Sequence, residues 1–204
     1  MAIKKARLEG RANLRPLKNP VYDTAHITAA AIQLLQFFNA PIGQPIVAAG
    51  ANKTEVDTNL KQSGSLGKPS CLDLYGISIE VINDGADAIN NVLNYHLIYD
   101  RASFEFAFGQ NRALVRVPFL SIPNGPAIDG AVATADAGTP TQYAYLHNGV
   151  PSVRSHLDVA IGGIPVPIGP QENFSATVRW PVAITTGVLY RARCYLKGVY
   201  YQQL

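Results

Sequence analysis

Residues 103–108 read Ser-Phe-Glu-Phe-Ala-Phe, a strict alternation along six residues. Its three phenylalanines alternate with smaller or charged residues, which is the period-2 pattern of a strand with one buried face. A longer run, residues 72–82, alternates in the same way but changes phase around Tyr75-Gly76. Because a phase change at a glycine is typical of a β-bulge, we predict one long bulged strand there.

Shorter strands are predicted on both sides of these two. They cover residues 113–119, 143–146, 157–161, 174–180 and 188–200. Residues 26–38 are ambiguous, because their alternation favours a strand while their Ala, Leu and Gln content favours a helix. One helix is predicted within residues 84–99, from apolar residues at helical spacing and from Asp87 as its cap. Residues 49–70 are polar and Gly-rich, which predicts an exposed loop.

The composition excludes several classes of protein. The chain has 204 residues, of which 48% are hydrophobic and 15% are charged, against about 25% charged in an ordinary soluble domain. A chain this apolar can bury enough surface to fold. Its apolar runs are broken by Gly and Pro well short of the ~20 residues of a membrane-spanning helix. We therefore predict a single all-β domain over residues 21–204, an antiparallel two-sheet sandwich with one short helix and no membrane span.

Basic residues are concentrated at the N-terminus. Residues 1–20 contain one acid, Glu9, and six basic residues: Lys4, Lys5, Arg7, Arg11, Arg15 and Lys18. The remaining residues contain 11 of the 17 basic and 13 of the 14 acidic side chains, so their net charge is −2. A basic tail ahead of a nearly neutral body is typical of contact with a polyanion. We predict that residues 1–20 form a basic arm; the alternative is a solvated, disordered N-terminus.

Cysteine and histidine patterns predict neither a catalytic nor a metal site. Cys71 and Cys194 are far apart with apolar neighbours, so we predict buried free thiols. The four histidines form no His-x-His pair, which a metal-binding cupin requires. Residues 50–54 lack the glycine spacing of a phosphate-binding loop, and the Ser-x-x-Lys spacing of Ser65 and Lys68 lies between glycines in a loop. We therefore predict no catalytic residue, no cofactor and no enzyme.

The last predicted strand is rich in tyrosine and in basic residues. It contains Tyr190, Tyr195, Tyr200 and Tyr201 beside Arg191, Arg193 and Lys197. One interpretation is a stacking and phosphate-binding face for single-stranded nucleic acid. The other, which we favour, is a strand with one buried face and an amphipathic rim at a subunit interface.

The C-terminal third has a distinctive order of segments. A turn at residues 164–168, Ile-Pro-Val-Pro-Ile, is followed by Pro-Gln-Glu-Asn-Phe at 170–174. A strand then ends at Trp180-Pro181, and a long last strand runs through Leu-Lys-Gly at 196–198. Upstream, Asp-Thr-Asn-Leu at 57–60 precedes the long bulged strand, as does Gly-Ser-Leu at 64–66. The hairpin that follows Phe104 ends in Pro-Phe-Leu-Ser-Ile-Pro at 118–123.

Together, this order of segments over residues 21–204 resembles the virion structural proteins of bacteriophages and related viruses whose shells are built from viral jelly rolls. The resemblance implies an eight-stranded antiparallel jelly roll that assembles with copies of itself into a capsid shell. The implied partners are other copies, other virion proteins and genomic nucleic acid through the basic arm. The implied location is the virion, after synthesis in the host cytoplasm, which fits an N-terminus without the apolar region of a secretory signal.

The long loops fit the same interpretation. Residues 39–70 and 121–150 are the longest loops, and loops of this length usually have a function. They are neutral enough to be buried between subunits, where a jelly roll makes its contacts. The alternative is a jelly-roll spike or decoration protein that binds a receptor or a carbohydrate through its loop tips.

Overall fold

A computed structural model of the chain describes residues 14–46, 51–83, 91–109, 112–123, 129–135, 141–147 and 155–203. These ranges contain twelve strands, one α-helix and a short 3-10 helix at Phe119–Ser121. The helix is α1 (Asn91–Asp100). The strands are β1 (Leu14–Leu17), β2 (Val21–Ile27), β3 (Ile32–Phe37), β4 (Cys71–Asn83), β5 (Ser103–Phe108), β6 (Arg112–Pro118), β7 (Asp129–Ala135), β8 (Thr141–His147), β9 (Leu157–Asp158), β10 (Val166–Ile168), β11 (Phe174–Ile184) and β12 (Tyr190–Gln203).

The first sheet is built around β12 and β4, the two longest strands. They pair antiparallel along most of their length, from Tyr190 opposite Asn83 to Tyr201 opposite Cys71. The other edge of β12 pairs with β2 and then with β1. The other edge of β4 pairs with β9 and then with β10. Across the sheet, β1 and β2 therefore share one edge, β12 and β4 form the centre, and β9 and β10 share the other edge.

The second sheet has four antiparallel strands in the order β3, β11, β5, β6. The pairing sets Ala176 of β11 opposite both Phe37 of β3 and Phe106 of β5. Strands β7 and β8 form a separate two-stranded hairpin in the chain between β6 and β9. The predicted all-β antiparallel sandwich of two sheets is confirmed at this level.

The bulge predicted at Tyr75-Gly76 is confirmed. Gly76 lies opposite Lys197 and Leu74 lies opposite Gly198, so Tyr75 has no partner on β12. Its carbonyl oxygen instead accepts a hydrogen bond of 2.9 Å from the backbone N–H of Val159. The bulge therefore links the longest strand pair to the segment that carries β9.

The ambiguous residues 26–38 contain strand, not helix. Strand β2 ends at Ile27 and β3 begins at Ile32, and Leu35 and Phe37 of β3 face the core. The predicted strand 157–161 was too long, since β9 ends at Asp158. Gly162 and Gly163 both adopt positive φ and fold Ile161 back against Ile164 in a tight turn. Of the predicted helix, residues 84–90 and hence Asp87 lie outside the described residues.

The core fills the space between the two sheets, and α1 covers one end of it. Phe104 and Phe106 of β5 are fully buried, as their alternation predicts. Trp180 at the end of the core donates a hydrogen bond of 3.0 Å from its indole nitrogen to the carbonyl of Ile98 in α1. The ring of Tyr95 meets that of Tyr190 edge to face at 5.4 Å. The helix is thus held to both sheets.

The predicted buried thiols are confirmed, because Cys71 and Cys194 are both free and buried. Burial, together with the nearby Asp23 carboxylate, raises the pKa of Cys194 well above its usual value. Since only the thiolate reacts readily, Cys194 is a packing residue. None of the helices in the described part of the chain is long and apolar enough to cross a membrane.

Candidate functional site

The described end of the basic segment lies at the edge of the first sheet. Of the six basic arm residues, Arg15 and Lys18 are described and both are exposed. Lys4, Lys5, Arg7 and Arg11 lie outside the described residues. Residues Leu14–Leu17 pair with the end of β12, with Leu14 opposite Gln203. The last part of the basic segment is therefore an edge strand of the first sheet.

A cavity of about 320 Å³ lies beside this edge strand, between the β1–β2 link, the loop before β4 and the end of β12. Its charged lining residues within the described chain are Lys61 and Lys68, and both are exposed. Ser70 and Asn19 add polar groups to the lining. The edge strand β1 thus lies next to a second, smaller patch of positive charge.

The loop at residues 51–70 is mostly exposed, as predicted, but it is also anchored to the body. Leu60 and Leu66 are buried in the core. The side chain of Asn59 accepts a hydrogen bond from the backbone N–H of Tyr22 and donates one to the carbonyl of Pro20. A loop with few apolar residues can pack in this way because its polar groups find partners on β2.

A buried ion pair fastens the same loop to the core. Lys53 Nζ lies 2.6 Å from Asp23 Oδ1, and both side chains are buried. Asp23 Oδ2 accepts a 2.6 Å hydrogen bond from the backbone N–H of Phe38, a buried residue whose φ of +66° lies in the left-handed region. Burial raises the pKa of Asp23, and the charge of Lys53 offsets part of this rise. Sequence reasoning missed the pair, since the two residues are distant in the chain and neither belongs to a motif.

The outer face of β12 is a network of engaged side chains. Arg193 donates from Nε to Thr24 Oγ1 at 3.0 Å, and its guanidinium carbon lies 6.0 Å from the centre of the Tyr22 ring. The hydroxyl of Tyr195 donates to Glu80 Oε2 at 3.0 Å. Burial raises the pKa of Tyr195. The polar groups of Arg193 and Tyr195 are therefore engaged within the protein.

The other residues of the tyrosine-rich strand behave differently. Tyr190 is fully buried and belongs to the core. Lys197 donates from Nζ to the carbonyl of Ser155 at 2.8 Å, and burial lowers the pKa of Lys197. The strand therefore has one core face and one amphipathic outer face, an arrangement that favours the second interpretation of its tyrosines.

Large apolar side chains are exposed at several places on the described surface. Among them are Val182 near the end of β11 and the pair Ile161 and Ile164, with exposed fractions of 73%, 73% and 61%. Ile161 and Ile164 flank the protruding Gly162-Gly163 turn and face each other across it. Val56 stands at the tip of the anchored loop at 67% exposure. Exposed apolar residues at protruding tips are candidates for contact with another molecule.

The described residues contain no group of three or more His, Cys, Asp or Glu side chains placed to bind a metal ion. Comparison with known proteins adds no relative: no family model, no curated protein and no solved structure matches the chain.

Proposed function

We propose that this protein is a virion structural protein that self-assembles into a capsid shell through a body of jelly-roll type. The observation that carries the proposal is the strand order. Of the ten strands in the two sheets, eight pair in a nested order: β2 with β12, β3 with β11, β4 with β10, and β5 with β6. The first strand thus pairs with the last, the second with the next to last, and so on. A nested antiparallel ribbon wound into two sheets is the pairing expected of a jelly roll, and it supports that fold type for this chain.

The surface supports assembly as the activity of this fold. The body carries a net charge of −2 on a surface with few charges, and interface cores are depleted of charged residues. Val56, Ile161 and Ile164 present apolar side chains at protruding tips. Burial of apolar surface contributes about 25 cal/mol per Å², so several modest contacts per subunit suffice to close a shell.

The arm supplies the polyanion contact in this proposal. It leaves the body at the edge strand β1, where Arg15 and Lys18 are exposed and Lys61 and Lys68 lie close by. Its charge neutralises packaged nucleic acid, or the arm laces under a neighbouring subunit. Both roles need a chain segment that extends from the body, which an edge strand at the N-terminus provides.

Purified protein is expected to form regular shells or ring-shaped capsomers, seen by electron microscopy and light scattering. Replacing Ile161 and Ile164 with serine should raise the protein concentration needed for assembly by about tenfold, since it removes apolar area from a contact. The variant is expected to unfold at the same denaturant concentration as the natural chain, because both side chains are exposed. A small stable oligomer that binds glycans would contradict assembly and favour the decoration protein.

The arm is tested by a full-length variant in which Lys4, Lys5, Arg7 and Arg11 are replaced by glutamine. Binding to single-stranded oligonucleotides should become less dependent on salt. For single strands the slope of log affinity against log salt changes by about 0.7 per phosphate contact, so its magnitude should fall by up to about 3. The measurement is a fluorescence titration at several salt concentrations. An unchanged slope would show that the arm does not touch the nucleic acid.

A further inference from the structure

A second basic site lies at the opposite end of the sandwich from the arm. An open groove of about 660 Å³ is formed where α1 ends, β5 begins and β6 ends, beside residues 179–181 of β11. Three arginines line it, namely Arg101, Arg116 and Arg179. They come from three different segments of the chain, so the groove exists only in the folded protein.

Two of the three guanidinium groups are available to a ligand. Arg116 donates to Glu105 Oε2 through both Nε and a terminal nitrogen, at 2.8 and 2.5 Å. Arg101 and Arg179 are exposed, and neither forms an ion pair with a described residue. The acid that lines the groove, Asp100, is exposed and lies 3.9 Å from His96. The groove therefore keeps an excess of positive charge.

The backbone beneath these arginines is well fixed. Arg179 lies opposite Ser103 in the β11–β5 ladder, and Ser103 Oγ bonds the carbonyl of Arg179 at 3.4 Å. Arg101 follows the last residue of α1, and Ala102 beside it is buried and accepts a backbone bond from Phe119. Arg179 thus lies on a strand, where binding groups are held more precisely than on loops, and Arg101 lies in the turn directly after α1.

The described lining offers no aromatic ring to a ligand. Trp180 borders the groove, but its side chain is 1% exposed and its indole nitrogen is bonded to Ile98. Sugar rings and nucleobases are commonly held by stacking on open aromatic faces. Guanidinium groups, in contrast, recognise phosphate through paired N–H donors. The groove is thus suited to binding the charged groups of a ligand and not to stacking against its rings.

We propose that this groove binds linked phosphate groups, either as free polyphosphate or as the sugar–phosphate backbone of a single-stranded nucleic acid, without preference among bases. Arg101 and Arg179 supply the donors, and the Glu105–Arg116 pair fixes the third side of the groove. The site is separate from the arm, because β1 pairs with the Gln203 end of β12, whereas the groove lies near α1, which packs against the Tyr190 end. The site also stands whether or not the protein forms a shell.

The test uses the full chain with the arm charges removed (K4Q/K5Q/R7Q/R11Q), so that binding by the arm does not hide the groove. Calorimetric titrations with tripolyphosphate and with dT and dA oligonucleotides distinguish the two phosphate sources. Adding R101Q/R179Q should weaken binding of whichever phosphate probe binds by about tenfold or more, since two charge-assisted contacts are lost. Tripolyphosphate binding alone would identify free polyphosphate as the ligand, and oligonucleotide binding would identify the nucleic acid backbone.

The matched control is K61Q/K68Q, which removes the same charge from the cavity beside the arm. This control should change the affinity for the phosphate probe by no more than about twofold. A loss as large as that of R101Q/R179Q would show that general surface charge, and not the groove, binds the probe. A strong preference for dA over dT would overturn recognition of the backbone. A heparin fragment that binds more tightly than both phosphate probes would overturn the choice of phosphate. A failure of the natural chain to form shells would contradict the proposed function and leave these titrations unaffected.

Discussion

Replacing Lys53 with methionine is expected to lower the free energy of unfolding by about 3–5 kcal/mol at neutral pH. The substitution leaves the Asp23 carboxylate buried without its countercharge, while its bond to the backbone N–H of Phe38 remains. A buried charge without a partner costs far more than the net contribution of the pair. The measurement is urea denaturation followed by tryptophan fluorescence, because Trp180 is the only tryptophan.

The loss of stability caused by Lys53→Met should become smaller as the pH falls. Burial already raises the pKa of Asp23 above its usual value of 3.8, and loss of Lys53 removes the main influence that opposes the rise. A carboxyl whose pKa is higher in the folded than in the unfolded chain binds protons more readily when folded, so stability falls as the pH rises through that window. Acidification towards the raised pKa neutralises Asp23, so the free energy of unfolding of the variant approaches that of the natural chain.

Two controls separate this effect from the loss of any lysine. Lys61→Met removes an exposed lysine of the same loop and should change stability by no more than about 0.5 kcal/mol. Asp23→Asn combined with Lys53→Met removes both charges but keeps an acceptor for Phe38, and should recover most of the stability. If the double variant is as unstable as Lys53→Met alone, the buried charge is not the cause.

Replacing Gly198 with alanine is expected to cost about 3 kcal/mol. The added Cβ would lie 2.1 Å from the backbone carbonyl oxygen of Asp73 and 2.9 Å from its carbonyl carbon. Backbone atoms in the longest strand pair cannot move aside as a flexible side chain can, so β4 and β12 must separate or the bulge must shift. Chemical denaturation measures the loss.

The matched control for this variant is Gly67→Ala in the loop before β4. Its Cβ would have only ordinary contacts, at 3.9 Å from the Gln62 side chain, and its φ does not favour glycine. Stability should change by less than about 1 kcal/mol. Equal effects at both positions would mean that the close approach at the bulge does not determine the stability of the β4–β12 pair.

Strand identity was largely readable from the sequence because the side-chain period of a strand is a local property. The alternation of Phe104 and Phe106 predicted their burial, and the phase change at Gly76 predicted the bulge. The limits of short elements were harder to predict. Residues 157–161 have the composition of a strand, but the turn at Gly162-Gly163 ends the pairing after Asp158.

The candidate sites depend on contacts that no local pattern contains. Sequence alone determined the basic N-terminal segment, the absence of a His-x-His pair, and the bulged and alternating strands. Only the tertiary structure brings Lys53, from the loop at residues 51–70, to Asp23 of β2. Only the tertiary structure places Arg101, Arg116 and Arg179 around one groove. The physical reason is that strands far apart in the chain pair through backbone hydrogen bonds. Because almost every residue carries the same backbone donor and acceptor, the local sequence does not show which strands will pair.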